Sequence, residues 1–183
     1  MIIRFLKMCH KSGHFFAPFP AMKSFQVIVE TPRGSAEKYS YNKKLHLFEL
    51  KKILPAGMSF PYDFGFFPGT VGGDGDPVDA LVLSEFRSFP GCLMDCRIIG
   101  ALVADQKEKG KKTRNDRFFT IPAVSKVYQH ITAIRDIPKK EMTELINFFI
   151  VYNLQEEKEF EPVRILNPHD AAKLYKKYRQ QSA

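Results

Sequence analysis

From Phe25 the chain alternates. Phe25, Val27 and Val29 fall on one side of FQVIVE, with Gln26, Ile28 and Glu30 on the other, the period of a strand. TPRGS then turns the chain, and KYSY and LHLFEL supply two further short strands in hairpin order. ILPAGMSFPYDFGFFPGTVGG interleaves Pro55, Pro61 and Pro68 with five glycines and a run of aromatics. It cannot be helix and is too apolar for a solvated loop, so it predicts an ordered, buried connection. ALVL reads as a buried strand, LMDCRIIGALVADQ as a longer one bent at Gly100, QKEKGKKTRND as a charged hairpin tip and RFFTIP as the returning strand. Helical spacing comes only late. Met142, Leu145, Ile146, Phe149 and Ile150 form one stripe after Pro138. Asn167 as cap, Pro168 at the first helical position and Asp170 in the first turn then open a helix carrying Ala171, Leu174, Tyr175 and Tyr178 on one face. Five or six strands in meander order, with helices only at the end, predict a mainly β (α+β) domain built on a small closed barrel.

Composition narrows this picture. A chain of 183 residues with 44% hydrophobic content suits one domain with a real core. Four of the 28 basic residues, Arg4, Lys7, Lys11 and Lys23, precede the first acid, Glu30, so the +8 total falls to a modest +4 beyond them. That argues against a nucleic-acid partner. Residues 1–22 read as a basic leader, either a flexible extension, an organelle transit segment or a start upstream of a working Met22, with the catalytic domain at 23–183. No apolar run reaches the ~18 residues of a membrane span. Three cysteines, Cys9, Cys92 and Cys96, are an odd and sparse count that fits a reducing cytoplasm.

The stretch that carries chemistry is DGDPVD, Asp74 to Asp79. Three carboxylates in six residues repel one another unless a cation joins them, and all-oxygen donors without His or Cys favour Mg2+, then Mn2+ or Ca2+. Asp74, Asp76 and Glu85 match three positions of a calcium EF-hand loop, but Asp79 stands where that loop requires Gly. A solvated acidic turn is the plainer alternative. A magnesium site of this kind, if catalytic, suits a phosphate ligand, and Lys38, Lys51, Lys52 and Arg117 are the cations available to face it.

The ordered blocks VIVETPRGSAEKYSY, KKILPAGMSFPYDFGFFPGT, DGDPVDALVL, FPGCLMDCRIIGAL, RNDRFFTIP and INFFIVYN resemble the soluble family I inorganic pyrophosphatases. The resemblance implies a five-stranded OB-like barrel with peripheral helices, mostly C-terminal. It also implies Mg2+-dependent hydrolysis of pyrophosphate to two phosphates, in a homo-oligomer, hexamer or dimer. By position it makes Asp74 and Asp79 metal ligands, Asp76 the general base or its partner, and Glu30 an acid near the metal. Lys38, Lys52, Arg117 and Tyr152 become phosphate-binding residues. Asp105 and Asp116 are taken as the remaining metal carboxylates, although an ungapped match from Pro122 gives Asn115 rather than Asp116. Ser40, Lys52, Phe60, Phe64 and Asn153 depart from the family pattern, replacing an acid, an arginine, two tyrosines and a lysine. The lost tyrosine hydroxyls and Ser40 motivate one rival function, hydrolysis of another phosphoanhydride such as tripolyphosphate; a second rival is an OB-like barrel that uses its positive charge on single-stranded nucleic acid.

Overall fold

The computed structural model describes residues 24–181, so the leader at 1–22 lies outside the described residues. Five strands form a closed ring. β1 (Phe25–Thr31) pairs antiparallel with β4 (Asp63–Phe66), and β4 pairs antiparallel with β5 (Asp79–Val82). β5 runs parallel to β8 (Arg117–Pro122), β8 is antiparallel to β6 (Leu93–Glu108), and β6 returns to β1. The order is therefore not the expected meander. It departs from it because β6, at 16 residues, serves β1 with its first residues, Leu93 to Cys96, and β8 with Cys96 to Leu102.

That double duty requires a bend, and the β6–β8 register shifts between Ile98 and Gly100. Gly100 has φ +151, and a Cβ there would stand 2.5 Å from the Leu166 carbonyl oxygen. The bulge at Gly100 thus agrees with the sequence reading. Beyond it β6 extends past the ring, flanked by β7 (Lys111–Arg114) and β9 (Lys158–Leu166). β2 (Glu37–Asn42) and β3 (Leu47–Ile53) pair only with each other, as a hairpin beside the ring.

Two elements were not read correctly from the pattern. The Pro- and Gly-rich connection contains a fully buried strand, β4, because DFGF has no proline and its neighbours on both sides satisfy its backbone. β9 was not anticipated, since most of its residues are exposed and Pro162 interrupts it.

Strand alternation divides the apolar side chains into two cores. Leu81 of β5 and Phe119 and Ile121 of β8 face one, with Phe64, Ile99 and Leu102. Ala80, Val82 and Phe118 face the other, with Phe25, Val27 and Phe67. α1 (Lys139–Leu154) covers the first core with Met142, Leu145 and Phe149, while Ile150 of the expected stripe is exposed. α2 (Pro168–Gln180) covers the second with Ala171 and Tyr178, and Asn167 caps it by accepting from the Asp170 N–H.

β4 approaches β1 so closely that only glycine fits at Gly65, where a Cβ would stand 2.1 Å from the Ile28 carbonyl oxygen. Gly65→Ala must push two strands of the ring apart. We expect it to cost about 3 kcal/mol or more, read as a lower urea midpoint with an unchanged slope; a midpoint equal to wild type would contradict this account of the β1–β4 contact.

Candidate functional site: a cavity between an acidic loop and a buried arginine

The parallel β5–β8 register sets Asp79 directly opposite Arg117. Both side chains leave the same face, and the guanidinium NH1 donates to Asp79 Oδ2. NH1 also donates to Asn115 Oδ1, and Asn115 Nδ2 donates in turn to Gln106 Oε1 at 2.9 Å. The guanidinium lies 5.7, 5.5 and 5.7 Å from the ring centres of Phe64, Phe149 and Phe160. Burial lowers the Arg117 pKa to about 10, against the opposing charges of Tyr152 and Asp74, so the group stays cationic at neutral pH.

The acidic loop is shaped by its own backbone. Gly72 N–H donates to the Asp76 carbonyl at 2.7 Å, Asp76 N–H donates to Asp74 Oδ1 at 3.1 Å, and Gly75 takes φ +88. Asp74 and Asp76 are exposed, with Lys43 Nζ 3.8 Å from Asp76. Glu30, at the end of β1, is buried and accepts from Tyr41 N–H at 2.7 Å and Ser40 Oγ at 3.3 Å. The serine in KYS therefore orients Glu30 through a neutral hydroxyl.

Lys38 rises from β2 onto an aromatic floor, 4.4 Å from the Phe64 ring centre and 5.8 Å from that of Phe60. Burial lowers its pKa from 10.5 to about 8, opposed by Glu30 and reinforced by Arg117 and Lys52. Tyr152, on α1, packs its ring edge against Phe60 at 5.6 Å. Burial, then the charge of Glu156, raises the Tyr152 hydroxyl pKa, against Arg117, so it remains a proton donor across the neutral range.

These groups line one cavity of about 280 Å³. Of the residues singled out from sequence, it gathers Glu30, Lys38, Asp74, Asp76, Asp79, Arg117 and Tyr152. Lys52 sits beside it: its ammonium lies 3.9 Å from the Tyr152 ring centre and donates to Glu156. Asn153 lines the cavity too, but its Nδ2 is spent on the Phe149 carbonyl at 2.8 Å within the helix.

The structure places neither Asp105 nor Asp116 in the cavity lining, which corrects the expectation that they complete a metal site. The reason is strand parity. Gln106 and Asn115 face the cavity, so their neighbours at 105 and 116 face away. Asp105 pairs with Lys112 at 2.9 Å and with Arg114 Nε at 3.2 Å. Asp116 is buried, accepting from Ala104 N–H at 3.1 Å and from the Tyr178 hydroxyl at 2.5 Å. Among the described residues no three His, Cys, Asp or Glu side chains stand together as a ready metal cage. Gln106, Lys43, Glu156 and Lys158 also line the cavity without being singled out by the sequence, and so does Asn115, the residue that the ungapped match from Pro122 gives.

Comparison with known proteins agrees with this arrangement. The family model described as inorganic pyrophosphatase matches residues 27–183. The inorganic pyrophosphatase of Synechocystis sp. is 33% identical over 76% of this chain and 80% of its own length. That of Methanosarcina acetivorans is 35% identical over 72% of this chain and 76% of its own. The crystal structure of the inorganic pyrophosphatase from Thermus thermophilus superposes with a TM-score of 0.80 at 27% identity, covering 88% of this chain and 92% of that one. Similarity therefore extends over nearly the whole described fold.

Asp116 provides a direct test of its assignment. Burial raises its pKa, opposed by the Tyr178 hydrogen bond. A carboxyl raised in the folded state favours folding most below its unfolded pKa, and that contribution is lost as pH climbs through the higher folded value. Asp116→Ala, which strands the Ala104 N–H, should lose about 1–3 kcal/mol in urea unfolding. Asp116→Asn keeps the Ala104 N–H on its Oδ1 and can donate from Nδ2 to the Tyr178 oxygen in place of accepting from it, so it should lose less than Asp116→Ala and lose this pH-dependent decline. Equal destabilisation by both variants would show that the charge itself is needed.

Proposed function

Because the chain belongs to the inorganic pyrophosphatase family, we propose that its cavity binds inorganic pyrophosphate and hydrolyses it to two orthophosphates with Mg2+, for which Mn2+ can substitute. The observation that carries this reading is the opposition, within one polar cavity, of the Asp74–Asp76–Asp79 loop to Lys38, Arg117 and Tyr152. Carboxylates suit a hard cation, and no His or Cys lines the cavity. Asp74, Asp79 and Glu30 would hold the metal on the loop side. The opposite wall, made by Gln106 and Asn115, supplies no acid and fits a metal poorly. When bound, the ion supplies positive charge to the phosphate oxygens and acidity to water.

The chain's own groups account for the rest. Lys38 and Arg117 carry charge against aromatic rings, and a cation shielded from solvent in this way is worth more to a phosphate than in water. Arg117 offers fixed, planar N–H donors, and Tyr152 adds a hydroxyl that stays protonated. Asp76 is exposed and only loosely paired, so its carboxylate can take a proton from the attacking water. As the new P–O bond forms and the bridging one breaks, charge gathers on the leaving phosphate, and Lys38 and Arg117 stabilise it.

Of the aromatics that line the cavity, Phe64 and Phe66 are buried and Tyr41 and Tyr152 half-buried. They do not form the exposed stacking face that a single-stranded nucleic-acid reader needs. Phe86, Phe89, Leu93, Val124 and Val127 are exposed and gather around one groove away from the cavity, which supports assembly with further copies of the chain. No helix among the described residues is long and apolar enough to cross a membrane. With Cys92 and Cys96 both free thiols, this favours a reducing cytoplasm.

Purified protein should release orthophosphate from pyrophosphate with Mg2+ and none with excess chelator. Asp76→Asn should lower kcat by roughly 100-fold or more, measured by colorimetric phosphate release. Release that persists in chelator would refute the metal-dependent reading.

A further inference from the structure

The cavity wall facing the acidic loop is polarised in one direction. Arginine has donors only, so Arg117 obliges the Asn115 amide to turn its oxygen inward. Asn115 Nδ2 must then point to Gln106 and donates to its Oε1. Gln106 is left with Nε2, which has no hydrogen-bond partner among the described residues. Each orientation follows from the one before, starting at a group that keeps its charge. Both amide oxygens are thereby taken by N–H donors. A wall built this way offers donors, which suit phosphate oxygens and not a cation.

The carboxylates only partly make good the shortfall. Arg117 holds Asp79 Oδ2, and Glu30 takes both of its hydrogen bonds on Oε1, so each keeps one oxygen for a metal on the loop side. Five carboxylates and four cations line the cavity, so their charges nearly cancel and little net field draws free divalent ions in.

We infer that the ligand-free protein does not assemble its metal centre, and that divalent ions enter together with pyrophosphate, whose oxygens supply the ligands that the Gln106–Asn115 wall withholds. This rests on reading the cavity as a pyrophosphate site. Gln106 Nε2 then donates to a phosphate oxygen, which makes the amide pair a specificity element for the metal-complexed diphosphate. Linkage requires symmetry: the factor by which the diphosphate strengthens metal binding equals the factor by which the metal strengthens diphosphate binding.

Equilibrium dialysis of the full chain against Mn2+, with and without the non-hydrolysable methylenediphosphonate, tests this without turnover. Wild type should retain almost no Mn2+ alone, and its apparent affinity should rise roughly tenfold or more with the analogue. Asn115→Asp keeps an oxygen for Arg117, and Gln106 can reverse its amide to donate to the new carboxylate. This variant should retain Mn2+ without the analogue. Full Mn2+ uptake by analogue-free wild type overturns the inference, as does an Asn115→Asp variant whose uptake still depends wholly on the analogue. A wild type that binds no analogue at any Mn2+ concentration refutes instead the pyrophosphate reading beneath it.

Discussion

The cavity depends on keeping one guanidinium charged while almost fully shielded from solvent. Arg117 is almost fully buried, with aromatic rings around it and its Nε lacking a partner. Burial of an unpaired charge would cost several kcal/mol, and removing one member of a buried pair typically costs about 3–5 kcal/mol. Asp79 and Asn115 offset that cost through NH1, and the quadrupoles of Phe64, Phe149 and Phe160 add to it. The β5–β8 pairing is parallel where hairpins would have been simpler, and this register is what sets Asp79 across from Arg117. The bend in β6 at Gly100 lets that strand close the ring while its far half carries Gln106 past the ring to the cavity.

A second constraint acts on the lysines. Lys38 and Lys52 are cross-strand partners in the β2–β3 hairpin, so two like charges rise side by side. Their repulsion is relieved unequally. Lys52 turns to Glu156 and the Tyr152 ring, while Lys38 stays over Phe64 and Phe60. The fall of Lys38 from 10.5 to about 8 corresponds to about 3 kcal/mol against its charged form. A ligand bringing negative charge would recover much of this, so the lysine is destabilised in the way that makes an anion welcome.

Much of this was legible in the sequence, for physical reasons that differ between parts. DGDPVD stood out because clustered like charges are unfavourable without a partner, and Arg117 because it opens an apolar strand. The Asn167 cap of α2 and most of the apolar stripe on each helix follow local rules, with Ile150 of α1 left exposed by the packing. Parity was harder. A choice of Asp116 over Asn115 weighs charge, whereas the structure weighs which side of an extended chain faces inward, and there Arg117 decides. Asp105 was misplaced in the same way, one residue from Gln106. β4 was hidden because prolines bracket it closely, and β9 because its neighbour β6, and not its own apolar pattern, holds it in place.

The departures from the family pattern become coherent when taken together with the amide wall. Ser40 holds Glu30 without adding charge, Phe60 and Phe64 give Lys38 a floor without hydroxyls, and Asn153 turns its amide back into the helix. Each removes a polar or charged group from the reach of a ligand, yet each leaves its neighbours hydrogen-bonded or packed. A cavity that had merely decayed would leave buried polar atoms stranded throughout. Here, among the described residues, Arg117 Nε is the only fully buried polar side-chain atom of the cavity lining without a partner. Residues that stay hydrogen-bonded or packed without adding charge leave this cavity few fixed ligands, so more of the binding rests on what an anion brings with it.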